Sequence, residues 1–193
     1  MHFKCSSVQL LKMQIISFVS PILQNHRILG GKFQFDIWGD TVNTARSLPE
    51  EIYRWRPAPE KWNLLDVTCH LLDEEREDFR VRVSMVLRDP NATLPAIDPE
   101  GWVTERDYQN QDFEQVLDRF LQERGRSVER LRSLRDPRWG NAYDHPELGM
   151  MSAQLFLNNW LAHDLLHIRQ ILSIKFNYLK ENTEEPLNYA GDW

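Results

Sequence analysis

His163 and His167 stand four residues apart in the stretch "NNWLAHDLLHIRQIL", crowded by Leu161, Leu165, Leu166, Ile168, Ile171 and Leu172. Imidazoles in such apolar company need a partner. Residues four apart on an α-helix share a face. Both rings can therefore aim at one point, and two neutral imidazoles so placed suit a transition metal. The HxxxH spacing alone is a weak signal, since two core histidines satisfied by hydrogen bonds would show it too. His70, in "DVTCHLLDEE", adds a third candidate. It lies on or beside an apolar stripe that includes Val67 and Leu71, and core-facing side chains of different helices converge in a bundle. Three histidines leave a coordination position open, as catalytic metal sites require. Cys69 is about 100° around the helix from His70 and reads as ordinary core.

Carboxylates flank these histidines. Glu74 lies four residues after His70 and Asp66 four before it, on the same helical face, and Asp164 adjoins His163. A carboxylate that accepts the remote imidazole N–H fixes the tautomer and orientation of a ligand. Surface solvation is the plainer reading of each. Glu74 is also the candidate general base for a metal-activated nucleophile. His145, in the loop "DHPELG", is either an ordinary loop residue or sits at the mouth of such a site.

The elements that must position these groups are helical. A stripe of Leu64, Val67, Leu71, Leu72, Phe79, Val83, Val86 and Leu87 predicts one helix from about Asn63 to Leu87, with Asn63 as cap and Asp66 as a capping-box-like partner. Phe113, Val116, Leu117, Phe120, Leu121, Val128, Leu131 and Leu134 predict a second, from about Gln111 to Leu134, which Gly125 weakens without breaking. A third, from about Met151 to Leu179, is apolar on more than one face and should be central. A shorter helix is predicted at about Phe33–Ser47, ended by Pro49. Two long connections, "RDPNATLPAIDPEGWVTERD" and "RDPRWGNAYDHPELG", read as loops of the kind that carry function. The predicted fold is an all-α four-helix bundle with elaborated loops at one end.

The chain's 193 residues suit a single domain with a sizeable core. The net charge of −6 disfavours binding to nucleic acid or to an anionic membrane. The arginine-rich segment Arg124–Arg138 is interleaved with Glu and apolar residues and reads mainly as a solvated helix face, with an anion-binding edge as the lesser option. Two cysteines, Cys5 and Cys69, form no CxxC and no disulfide framework, which fits a reducing cytoplasm. No apolar run is long enough to span a bilayer. Val8–Leu23 is interrupted by Lys12 and Gln14 and lacks a convincing cleavage site, so no signal peptide is expected.

Several stretches resemble the DinB/YfiT-like superfamily. In "RWRPAPEKWNLLDVTCHLLDEE" (Arg54–Glu75), a Trp and a helix start lead into a ligand histidine as they do in that family. "HDLLHIRQI" (His163–Ile171) is similar to its closing HxxxH motif, with Gln170 at the usual place. "PAIDPEGW" (Pro95–Trp102) and "HPELG" (His145–Gly149) resemble loops of the YfiT branch, and the likeness covers roughly residues 33–180. The resemblance implies an up-down-down-up four-helix bundle and a divalent metal, zinc or nickel, held by His70, His163 and His167. It further implies a small-molecule substrate and a homodimer. Activities in the family are thiol transfer with bacillithiol or mycothiol, thiol-dependent isomerisation and metal-dependent hydrolysis. Residues 1–29 have no counterpart and are expected to be an N-terminal extension to a metal-binding bundle over residues 30–193.

The expected function is that of a divalent-metal-dependent enzyme that activates a thiol or water. A bacillithiol-type small-thiol S-transferase leads, with a related hydrolase beside it. The alternative is a non-catalytic metal-binding or scaffold bundle, in which the three histidines serve stability alone.

Overall fold

A computed structural model describes residues 48–191. The helix predicted at Phe33–Ser47, the extension 1–29, Cys5, His2 and His26 lie outside the described residues. Those that are described fall into two compact units. Leu65–Gln170 form one, and the residues up to Leu64 together with those from Ile171 onward form the other.

The second of these units contains α1 (Glu50–Tyr53), whose Ile52 is fully buried. The Trp55 ring meets Tyr178 edge-on, with centroids 5.7 Å apart. Ile174 and Tyr178 are buried with them, on a helix that begins in the other unit.

The Leu65–Gln170 unit holds most of the described buried apolar residues. The predicted helix 63–87 is two helices, α2 (Leu64–Glu77) and α3 (Phe79–Arg88), with Asp78 between them at φ −111° and ψ −93°. Asp78 is a poor helix former whose carboxylate takes the Arg82 guanidinium. The apolar stripe runs on through the break, since Val67, Leu71, Phe79, Val83 and Val86 are all buried. For this reason periodicity did not reveal it.

The first predicted loop contains α4 (Pro99–Glu105) and a 3-10 turn at Tyr108–Asn110. Pro99 opens α4, and the Asp98 carboxylate accepts from Gly101 N at 3.0 Å. Both features suit a helix N-terminus. Trp102 and Tyr108 bury themselves, and Arg106 pins the segment to α2 through Glu77 at 2.7 and 3.0 Å and Asp73 at 2.7 Å.

α5 (Phe113–Ser133) starts at Asp112, whose carboxylate accepts from Gln115 N at 2.8 Å. Gly125 lies within it without interrupting it. The second predicted loop folds into a two-stranded antiparallel hairpin, β1 (Ala142–His145) against β2 (Gly149–Ser152). Gly149 closes it at φ +71°, in the left-handed region that suits glycine. His145 Nδ1 accepts from the amides of Glu147 and Leu148 at 3.1 and 3.2 Å, so the residue organises this turn.

Ser152 Oγ then accepts from Leu155 N at 3.0 Å and opens α6 (Ala153–Glu181). Apart from the hairpin, the described regular structure is helical, as the periodicity predicts. No described helix is long and apolar enough to cross a membrane.

Candidate metal centre

α2 and α6 bring the three histidines together. His70 Nε2 lies 3.2 Å from His163 Nε2, and His167 Nε2 lies 3.1 Å from the same atom. Two zinc–nitrogen bonds of the usual length at a tetrahedral angle separate their nitrogens by about 3.3 Å, which these two spacings match, and all three ligand atoms lie within 4.8 Å of one another. His70 is buried, and His163 and His167 are half-buried. Three nitrogens that face one another need a proton on one of them for any hydrogen bond. A divalent cation accepts all three lone pairs.

The tautomer of one ring is set by its neighbour. His167 Nδ1 is 2.8 Å from Gln170 Oε1. That oxygen only accepts, so Nδ1 carries the proton and the Nε2 lone pair faces the other histidines. Gln170 was marked only by the family resemblance.

The rings are held neutral. Burial, aided by the nearness of His167, pushes His70 down to about 3. Burial, with His167, His70 and Arg124 nearby, does the same to His163. His167 is also lowered by burial, against the opposing pull of Gln170 and Asp164. Neutral imidazole is the form that binds metal. Phe79 closes one side, its ring 5.0 Å from that of His163 and stacked at 6.0 Å on Trp160.

Beside His163 lies an ion cluster that no local pattern in the sequence marks. Arg124 reaches Glu75 at 2.8 Å and holds Asp164 with two bonds of 2.6 and 2.9 Å. Trp160 Nε1 donates to Glu75 Oε2 at 3.2 Å. Arg124 is 4% exposed, Glu75 1% and Asp164 6%. Burial opposes the guanidinium charge, but Glu75 and Asp164 outweigh it and raise the Arg124 pKa above its ordinary value. The cluster ties α2, α5 and α6 together beside His163. The reading of the Arg124–Arg138 segment as a solvated helix face therefore fits Arg126, Arg130 and Arg132, which are exposed on α5, and fails for Arg124, while Arg135 and Arg138 are exposed beyond the end of the helix. Its partners lie 40 and more residues away in sequence, so no local spacing marks them.

The other candidates lie as follows. Asp164, considered as an imidazole acceptor, is engaged by Arg124. Glu74 is buried, and burial together with Asp78 pushes its carboxyl up to about 8. A carboxyl raised in this way is mostly protonated at neutral pH and gains basic form as pH rises. Asp66 is buried in the first turn of α2. Cys69 is a buried free thiol, pushed up to about 12 by burial, as befits core. Arg169 is exposed.

A family model described as the DinB superfamily matches residues 36–171. Among solved structures, YfiT from Bacillus subtilis resembles the chain with a TM-score of 0.56 at 17% sequence identity, over 89% of this chain and 85% of that one. YfiT is described as "a probable metal-dependent hydrolase with an unusual four-helix bundle topology". No curated protein matches the chain in sequence.

Proposed function

The chain belongs to the DinB superfamily, an all-α family of four-helix bundles, and from that premise we propose that it is a divalent-metal-dependent enzyme. The observation that carries this reading is the convergence of three Nε2 atoms from two helices, one of them with its tautomer set by Gln170. His70, His163 and His167 would hold the cation, zinc or nickel. A divalent cation there supplies Lewis acidity, which lowers the pKa of a bound thiol or water toward neutrality.

The remaining work falls to the chain. Gln170 keeps the His167 proton on Nδ1, away from the shared point. Phe79 and Trp160 exclude water from one flank of the site. The Glu75–Arg124–Asp164 cluster fixes the rotation of α6, so that residues 163 and 167 both face His70.

Of the two nucleophiles, a small thiol of the bacillithiol type leads, with S-transfer to an electrophile as the reaction. The family resemblance supports it. The description of YfiT supports water and hydrolysis. The test begins with the metal content of protein purified without a histidine tag, beside a His167→Ala variant. About one equivalent in the parent, lost in the variant, is expected. Thiol consumption is then followed with a panel of electrophiles, and turnover with a panel of esters and amides. Metal-dependent hydrolysis with no thiol-dependent rate would replace the transferase reading by the hydrolase one. Bound metal with neither activity, where chelation changes only stability, would leave a structural metal site.

A further inference from the structure

A cavity of about 610 Å³ lies where the C-terminal ends of α3 and α5 meet the segment 135–141. It shares no residue with the histidine cluster. Its volume is in the range of small-molecule sites. The floor is apolar: Val83 is buried, while Leu87, Leu131 and Leu134 remain half-buried. The rim carries Arg88, Arg130, Arg135 and Arg138, with Asp136 the one acid among the lining residues.

The wall formed by segment 135–141 is held in place. Asn141 Nδ2 donates to the carbonyls of Val86 and Leu87 at 3.4 and 3.1 Å, which caps α3 and ties the segment to it. Ala153 N donates to Asn141 O at 2.9 Å, and Gln154 N to Trp139 O at 3.1 Å.

Two of the four arginines have a local reason to be there. Arg88 and Arg130 lie in the last turns of α3 and α5, where cations complement the helix dipole. Arg130 also donates to Ser84 Oγ at 2.9 Å. Arg135 and Arg138 follow the end of α5 and lie outside that reasoning. Among the described residues, Arg88, Arg135 and Arg138 have no carboxylate within ion-pair distance. Unpaired guanidinia over a half-exposed apolar floor are unusual for a chain of net charge −6.

We propose that this cavity is a second ligand site that binds an amphipathic organic anion, with an apolar chain on the leucine floor and a carboxylate or phosphate head against Arg135 and Arg138. Guanidinium forks match such heads in geometry as well as in charge. The apolar body gains by covering the leucines.

The test is calorimetric titration of the full chain with decanoate, decyl phosphate, decanol and acetate. Saturable one-to-one binding of decanoate or decyl phosphate is expected, with decanol and acetate each at least about tenfold weaker. The ratio of the two decyl anions identifies the preferred head. The Arg135→Gln/Arg138→Gln variant should lose at least about tenfold in affinity for the anion, and Leu134→Ser should weaken it too. Arg126→Gln/Arg132→Gln, an equal change of charge outside the cavity, should not. Unchanged melting and metal content show that the variants fold. Equal affinity for decanol and decanoate, equal losses in Arg126→Gln/Arg132→Gln and Arg135→Gln/Arg138→Gln, or no binding of either decyl anion would overturn the proposal.

Discussion

Replacing Arg124 by Met strands two acids in the interior. The parent guanidinium donates to Glu75 and to both oxygens of Asp164, and none of the three residues is more than 6% exposed. Breaking such a buried cluster by removing one partner costs about 3–5 kcal/mol. Domains of this kind are stable by about 5–15 kcal/mol, so the loss is a large share. At this chain length it corresponds to a fall in Tm of roughly 6–20 °C.

The deficit should depend on pH with a definite sign. Burial already raises the Glu75 carboxyl in the parent, against the pull of Arg124, so without the guanidinium its folded pKa climbs further above the unfolded value near about 4. Acids raised in this way favour the folded state at low pH, and the advantage disappears as pH rises through the folded values. The gap between parent and variant is therefore full at neutral pH and narrows toward pH 4. Urea and thermal unfolding of both proteins across that range, in chelator, measures it. A companion variant, Arg124→Met/Glu75→Gln/Asp164→Leu, removes the stranded charges and should recover most of the stability. It should still bind metal more weakly than the parent, since nothing then clamps α6 beside His163. A neutral-pH deficit below about 1 kcal/mol, or parental metal affinity in the companion, would refute the clamp.

Three further outcomes are expected. Gln170→Leu leaves His167 free to protonate at Nε2 and should lower metal affinity by about 10–100-fold with little change in melting of the metal-free protein, as competition with a chromogenic chelator would show. The metal-free protein should lose stability as pH falls from about 6.5 toward 3, because His70 and His163 stay neutral when folded down to about 3 but bind protons once unfolded. A His70→Gln/His163→Gln variant should lack that limb in equilibrium unfolding. Adding zinc or nickel in excess over its dissociation constant should raise the Tm of the parent and leave that of His167→Ala unmoved, as scanning calorimetry would reveal.

The histidines were legible because two rules of local geometry suffice for them. Spacing of four puts His163 and His167 on one face, and a stripe of every third or fourth residue puts His70 beside a core. The bounds of α5 and α6 lie within about two residues of those the apolar period predicts, and Asp112 and Ser152 cap their starts. Tertiary partners were not legible. Arg124 looked like its exposed neighbours because only Glu75 and Asp164, far away in sequence, make it a core residue. The hairpin escaped notice because strands of four residues around His145 and Gly149 are too short for alternation to show. α4 escaped because its 7 residues, inside a connection read as a loop, are too few for a helical period to show. The break at Asp78 lies between two stripes in phase, which hydrophobic period cannot separate.

His70 and His163 are 93 positions apart along the chain, yet their nitrogens are 3.2 Å apart. A cation bridging them would thus act as a removable cross-link. Unlike a covalent link, an ion held only by the folded chain stabilises it by mass action, by about 4 kcal/mol at a thousandfold excess over its dissociation constant. An unfolded chain keeps only the HxxxH pair, which offers two nitrogens and needs a formed helix even to present them. Loading would then follow folding, and removing the ion would speed unfolding wherever the unfolding transition state has already parted α2 from α6.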